Sequence, residues 1–181
     1  MKSTLDHKNE PEPEELVIIV DGENQEQMVV RRSIMRRQNL IHRSSFTTVF
    51  NQNHEILVLQ RSLSKDLYPG LYEITCAGVV HPYETFKECA LRELGEELGI
   101  KKPTLDFVDL FFDENDDNRV WGALYRINWD GDLHFNEEEV AWGTFLDYSE
   151  VKSLILHGKC TPESSFILEM LHPHRPDVTQ P

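Results

Sequence analysis

The sequence predicts an α+β domain, in which a mixed β-sheet lies between α-helices and a β-hairpin extends the N-terminal end. Three observations support this fold class. Short runs rich in β-branched and aromatic residues recur along the chain, separated by polar turns. Several later segments carry the residue signals that begin a helix. Strands and helices are interspersed without an internal repeat.

The predicted strands are recognised by their composition and by the turns between them. The first, LVIIVD from Leu16, is followed by Asp21-Gly22, which favours a tight turn, and a short strand over 26–30 completes a hairpin. Residues 31–39 are basic and mildly amphipathic, which predicts a short helix. The other predicted strands are 45–50, 55–61, 71–80, 105–112, 120–127 and 140–146, with a loop at 62–70.

Three further helices are predicted from their first residues. One covers about 85–98 and has Thr85 with Glu88 three residues later, which is the spacing of a capping box. The same spacing begins the second helix, and a Thr-Pro pair begins the third, where the missing N–H of proline costs nothing. These two helices are predicted over about 148–157 and 162–172.

The chain has 181 residues, which suits one domain with a sizeable core. Residues 1–15 are acidic and contain prolines, so we expect a disordered leader there, a frayed tail over 176–181, and a single domain over 16–175. No apolar run approaches the roughly 20 residues that span a bilayer, and the polar N-terminus is unlike a signal peptide. Three sparse cysteines complete the expectation of a cytoplasmic protein with reduced thiols.

Acidic residues outnumber basic ones by 32 to 18, which gives a net charge of −14. Such a chain repels nucleic acid and anionic membranes, so we expect neither as a partner. It would also repel a phosphate-rich small molecule unless a local cation reversed the sign. A divalent metal ion is the simplest such cation.

The helix predicted over 85–98 concentrates carboxylates on one face. Glu93, Glu96 and Glu97 lie at i, i+3 and i+4, while apolar residues form a separate stripe. Like charges at this spacing repel each other, and more strongly when they are desolvated. Because no Lys or Arg follows before the helix ends, bound Mg²⁺ or Mn²⁺ is the expected cofactor. For an isolated E-x-x-E-E pattern, an exposed acidic face would be the ordinary interpretation.

The setting of these glutamates resembles the Nudix box. Gly78 is followed after five residues by Glu84 and, seven residues later, by the run from Arg92 to Ile100, RELGEELGI, so every fixed position of the motif is filled. The upstream residues ILVLQR and the strand leading into Gly78 are similar to the usual Nudix lead-in. The resemblance covers about 44–146 and implies the Nudix fold, with that range as its core.

The resemblance implies that Glu93 and Glu97 are the main metal ligands, and that Glu96 is a further ligand or the base that activates water. It also implies the reaction, in which water attacks a phosphorus of a small-molecule diphosphate. The metal would neutralise phosphate charge and lower the pKa of the attacking water.

Further positions would support these ligands. Arg92 would hold a glutamate in place through a salt bridge, Glu84 would support the loop–helix junction or a second metal, and Gly78 would let the backbone approach the metal. A general base outside the motif often comes from a later loop in Nudix proteins. Glu139 is the candidate in this chain, and the two glutamates before it fit a solvated turn better.

The segments 41–46, 67–72 and 136–140 are similar to the Nudix branch that contains isopentenyl diphosphate isomerase. That enzyme protonates a double bond and hydrolyses nothing, so it is an alternative of a different class. Its pattern has a catalytic Cys directly before the glycine of the motif, where this chain has Ala77. Cys76 is one residue away, which changes the face of a strand, so hydrolysis is the favoured interpretation.

A third interpretation is a Nudix domain that binds a nucleotide without catalysis, and the complete motif argues against it. The basic segment 31–39 could serve substrate binding or dimerisation, although balancing the acidic remainder of the chain is the simpler interpretation. A homodimer is an assembly that the sequence allows.

Overall fold

The computed structural model describes residues 14–171, and in that range it has nine β-strands and four α-helices. The predicted tail lies outside this range, as does the predicted leader except for its last two residues. No helix within 14–171 is long and apolar enough to cross a membrane. The elements are β1 (Leu16–Val20), β2 (Glu26–Arg31), α1 (Arg32–Gln38), β3 (His42–Phe50), β4 (Ile56–Arg61), β5 (Tyr72–Glu73), β6 (Cys76–Val79), α2 (Phe86–Leu98), β7 (Asp106–Glu114), β8 (Arg119–Asn128), β9 (Val140–Leu146), α3 (Tyr148–Leu156) and α4 (Ser164–Leu171).

The strands form one mixed sheet with β3 at its centre, which confirms the predicted α+β class. β3 pairs in parallel with β8 and antiparallel with β1, β4 and β6. It is buried along nearly its whole length, as expected for a strand covered on both faces. The predicted N-terminal hairpin is β1–β2, and it joins the sheet where Ile19 pairs with His42.

The two faces of the sheet are covered by different helices. Alternate residues of β4 point to opposite faces, because side chains in a strand alternate. Leu57 and Leu59 pack in one cluster with Leu94 and Leu98 of α2. Ile56 and Val58 belong to another cluster, which includes buried residues of α3 and α4. The sheet therefore separates α2 from α3 and α4, which is the predicted layer arrangement.

α2 begins and ends where its sequence signals predict. The Thr85 side chain accepts a hydrogen bond from the Glu88 backbone N–H, and the Glu88 side chain accepts one from Thr85, which completes the capping box. At the other end, Gly99 adopts a left-handed conformation with φ of 71° and closes the helix. These two caps fix which residues of α2 face the sheet.

Several predicted elements have different bounds in the structure, and two of these differences follow from identified contacts. The extended run over 71–80 is divided into β5, which pairs with β4, and β6, which pairs with β3, because the chain crosses between neighbouring strands. The last helix begins at Ser164, two residues after the predicted start. Thr161 and Ser164 share a hydrogen bond of 2.9 Å between their hydroxyl groups, across a turn that precedes α4.

Replacing Thr85 by Ala removes the hydroxyl that caps α2. We expect the free energy of unfolding to fall by about 1 kcal/mol, because one backbone N–H loses its partner. For a chain of this size, the melting temperature should fall by about 2–4 °C. Thr85→Ser keeps the hydroxyl and serves as the matched control in thermal denaturation. An alanine variant as stable as the native protein would contradict the capping assignment.

Candidate active site

The three glutamates of α2 differ in their exposure. Glu97 is 3% exposed and Glu93 is also buried, whereas the side chain of Glu96 is 59% exposed. Glu93 and Glu97 lie one turn apart on the side of α2 that packs on β6. The exposed acidic helix face that an isolated E-x-x-E-E pattern suggests is therefore wrong for two of the three carboxylates.

The absence of a side chain at Gly78 makes room for a carboxylate. A Cβ atom at this position would lie 1.8 Å from Oε1 of Glu93, which is far closer than two atoms can approach. The resemblance had implied that this glycine lets the backbone approach a metal. The structure adds a steric reason, because only glycine leaves Glu93 its place against β6.

Arg92 connects the glutamates of the motif. Its guanidinium donates two hydrogen bonds to Glu84, at 2.9 and 3.0 Å, and others to Glu93 at 2.6 Å and to Glu96 at 3.2 Å. Burial tends to raise the pKa of Glu84, but the bonds from Arg92 and from the His81 amide outweigh it and lower that pKa. Glu84 thus connects the backbone at His81 with the Arg92 side chain of α2.

Lys65 was not found by sequence reasoning, since it lies in a polar loop that carries no motif. Its ammonium is 3.5 Å from Oε1 of Glu97 and forms an ion pair with Glu139. The structure therefore brings Glu139 to the same cluster as the α2 glutamates. The two preceding glutamates are exposed, in agreement with the predicted solvated turn.

The loop that carries Glu139 is attached to the end of α2. The backbone N–H groups of His134 and Asn136 donate to the carbonyl oxygens of Leu98 and Glu97, each at 2.9 Å. These carbonyls belong to the last turn of the helix, where intrahelical partners run out. The position of Glu139 relative to Glu97 is thus set by main-chain hydrogen bonds.

Burial dominates the electrostatics of this cluster. Burial and, after it, the charges of Glu73 and Glu93 raise the pKa of Glu97 to about 8 against the opposing effect of Lys65. Burial also raises the pKa of Glu93, against the effect of Arg92. Two desolvated carboxylates one turn apart favour a bound proton or a bound cation.

Cys76 lies beneath the site. Its thiol donates to Oε2 of Glu97 at 3.2 Å, and burial raises its pKa well above the ordinary value, so it stays protonated. Ala77, at the position of the catalytic cysteine in the isomerase pattern, lines the cavity described next, and Cys76 does not. The geometry thus gives the thiol a packing position next to a carboxylate.

A cavity of about 440 Å³ opens above these side chains. The walls carry the carboxylates of Glu93, Glu96, Glu97 and Glu139, together with cations from three other parts of the chain. Those cations are Arg32 and Arg36 of α1, Arg61 of β4, and Lys65. The cavity therefore offers both oxygen ligands for a metal and positive charge for an anion.

The donor set fits a hard divalent cation. Carboxylate oxygens are the ligands that Mg²⁺ and Mn²⁺ prefer, and a cation would offset the repulsion between Glu93 and Glu97. Within residues 14–171, no three His, Cys, Asp or Glu side chains already converge on one point. Arg92 and Lys65 hold these carboxylates, and the Lys65 ammonium demonstrates that positive charge is accommodated between Glu97 and Glu139.

The fold is the Nudix fold, as comparison with solved structures shows. DR0079 from Deinococcus radiodurans superposes with a TM-score of 0.75 at 19% identity, over 86% of this chain and 98% of that chain. A MutT protein from Methanosarcina mazei Go1 gives a TM-score of 0.62, also at 19% identity, over 74% of this chain and 91% of that one. At 19% sequence identity, these two comparisons establish the fold and carry no information about the reaction.

Sequence comparison gives the family. The NUDIX domain family matches residues 40–163. The Nudix hydrolase YfcD of Escherichia coli K12 is 36% identical over 150 residues, which cover 83% of this chain and 82% of YfcD. The Nudix hydrolase PA4841 of Pseudomonas aeruginosa is 34% identical over 132 residues, or 73% and 78% of the two chains. The chain belongs to the Nudix hydrolase family.

Replacing Gly78 by Ala tests the steric role of this glycine. Because the new Cβ would overlap the Glu93 carboxylate, we expect Glu93 to be displaced and the affinity for Mg²⁺ to fall at least about tenfold. The affinity is read from the rise in melting temperature on adding Mg²⁺. Gly22→Ala is the matched control, because nothing lies within 4 Å of a Cβ there. Equal Mg²⁺ responses in the two variants would refute the steric assignment.

The raised pKa of Glu97 predicts a pH dependence. A carboxyl whose pKa is raised from 4.5 to about 8 on folding stabilises the metal-free protein at low pH, and this stabilisation is lost as the pH rises through about 8. Mg²⁺ competes with the proton, so its affinity should increase up to about tenfold per pH unit below the pKa.

Titration of EDTA-treated protein with Mg²⁺ across this pH range measures the effect, with Glu97→Gln as the control that has no proton to lose. An affinity that does not change with pH in the native protein would contradict the prediction.

Proposed function

We propose that this protein hydrolyses the diphosphate linkage of a nucleoside diphosphate derivative or a related organic diphosphate. Mg²⁺ or Mn²⁺ would be held by Glu93, Glu97 and Glu96. The observation that carries the proposal is the buried pair of Glu93 and Glu97 within a cavity that also presents several cations. In a complex of a diphosphate with a metal ion, the metal complements the carboxylates of the cavity and the phosphates complement its cations.

The metal would supply two effects, the neutralisation of phosphate charge and a lower pKa for the attacking water. The protein holds the ligating carboxylates in position. Arg92 fixes Glu93 through a 2.6 Å hydrogen bond and holds the loop before α2 through Glu84. Such supporting contacts keep ligating carboxylates in one orientation.

Glu139 is the proposed general base. It lines the cavity and its side chain is 38% exposed, so water can reach it. The main-chain bonds of its loop to α2 keep it near Glu97. Lys65 pairs with both carboxylates and so holds Glu139 beside Glu97.

The test is a panel of nucleoside diphosphate derivatives and dinucleotides incubated with Mg²⁺, with products separated by chromatography. We expect at least one diphosphate to be cleaved. Glu97→Gln should lower kcat/KM at least about 100-fold, because a direct ligand contributes no less than the groups that support it. Glu137→Gln makes the same change of charge at an exposed position outside the cavity and is the control. Turnover that survives Glu97→Gln would overturn the assigned role of Glu97.

The two alternatives give different results in parallel assays. Isomerisation of isopentenyl diphosphate that disappears in Cys76→Ala would support the isomerase. Tight nucleotide binding without cleavage of any diphosphate would support a nucleotide-binding domain. We expect neither, because the Cys76 thiol is outside the cavity wall and the carboxylates are all present.

A further inference from the structure

The arginines of the basic segment 31–39, which contains α1, fall into two pairs in the structure. Arg31 and Arg37 are exposed and do not line the cavity. Arg32 and Arg36 lie one helical turn apart and both line it, and the side chain of Arg36 is only 20% exposed. Charge balance over the surface, the simpler interpretation of the sequence, accounts for the exposed pair but not for the position of Arg32 and Arg36 in the cavity wall.

The two cavity arginines are held in fixed positions. Arg36 donates to the side-chain oxygen of Asn118, in the turn between β7 and β8, at 2.9 Å. The Asn39 amide, just after α1, donates to the carbonyl oxygens of Asn115 and Asp116 in the same turn. Arg32 is anchored at the opposite side by Glu15 at 2.8 Å. Guanidinium groups positioned in advance lose little entropy when they bind an anion.

An anionic group already lies between these arginines. The carboxylate of Asp66 accepts a bond from Nε of Arg36 at 3.1 Å and lies 3.4 Å from the Arg32 guanidinium. Asp66 is in the loop before β5, and its side chain is 42% exposed. A carboxylate shared by two guanidinium groups marks a position that suits a phosphate, which offers more charge and more acceptor oxygens.

The two arginines line the same cavity as the carboxylates of α2. Asp66 directly follows Lys65, which pairs with Glu97 and Glu139. Within this loop, Lys65 pairs with the candidate metal ligand Glu97, and the next residue, Asp66, pairs with the two arginines. A single small molecule can therefore contact both parts of the cavity.

We propose that Arg32 and Arg36 bind a phosphate monoester of the substrate, separate from the diphosphate that is cleaved. This inference rests on the proposed hydrolase function and names its substrate class, organic diphosphates that carry an additional phosphate. The bound phosphate takes the place of Asp66 between the two guanidinium groups. Free inorganic phosphate has the same chemistry, and the two sources are separated by the experiment.

The first measurement needs no turnover. Inorganic phosphate is titrated into the full-length protein while the arginine Nε–H signals are followed by ¹⁵N NMR. We expect the signals of Arg32 and Arg36 to shift and saturate, and the signal of Arg37 to stay unchanged. Arg32→Gln and Arg36→Gln assign the two signals.

The second measurement compares substrates that differ by one phosphate monoester, such as NAD⁺ with NADP⁺, and dephospho-coenzyme A with coenzyme A. We expect the phosphorylated member of at least one pair to have a kcat/KM at least about tenfold higher, because charged hydrogen bonds to phosphate are strong. Arg36→Gln should reduce this ratio to near one. Arg37→Gln, the same change on the exposed side of α1, should retain both the ratio and the activity.

The outcomes separate the two proposals. Shifts of both arginine signals together with a phosphate preference that requires Arg36 support the substrate site. Shifts without any preference overturn it in favour of free phosphate as the ligand, and the absence of both overturns the anion site altogether. If the arginine signals shift and no diphosphate is cleaved, the hydrolase proposal fails while the anion site remains.

Discussion

The site depends on the burial of two like charges, the carboxylates of Glu93 and Glu97 on adjacent turns of α2. Desolvation penalises an ionised carboxylate, and a second one nearby adds to that penalty. The surrounding contacts lower the cost. Arg92 supplies a cation on one side and Lys65 on the other, and Gly78 makes room for Glu93. Removing either cation leaves a buried carboxylate with less compensation for its charge, so the site depends on both.

The cavity is assembled from segments that are far apart in the sequence. α1, the loop before β5, α2 and the loop before β9 each contribute charged side chains. Backbone bonds align these segments, as when His134 and Asn136 attach their loop to the last turn of α2. The N-terminal hairpin leads into α1, so it carries the two cavity arginines to the site.

Local patterns in the sequence were sufficient to predict most helices and strands and the glutamate motif of α2. Capping residues and Gly99 give the ends of α2, and hydrophobic patterns give the strands. The features that could not be predicted from the sequence depend on contacts between residues that are distant along the chain. Lys65 has no neighbouring signal that relates it to Glu97. Arg31 and Arg32 are neighbours of the same residue type, and only the fold determines that the side chain of Arg32 faces the cavity. The division of 71–80 into two strands likewise depends on which partner each half finds.

The adjacency of Lys65 and Asp66 has a consequence for selectivity. The dipeptide carries one charge of each sign, and each charge has its own partners: Lys65 pairs with Glu97 and Glu139, and Asp66 pairs with Arg32 and Arg36. A ligand that brings only a cation, or only an anion, competes with one half of the dipeptide and leaves the other half paired. A metal–phosphate complex competes with both at once, and the loop then loses both of its attachments together. If the proposed metal and phosphate bind as inferred above, each would release one attachment of this loop, and the two binding events would favour each other.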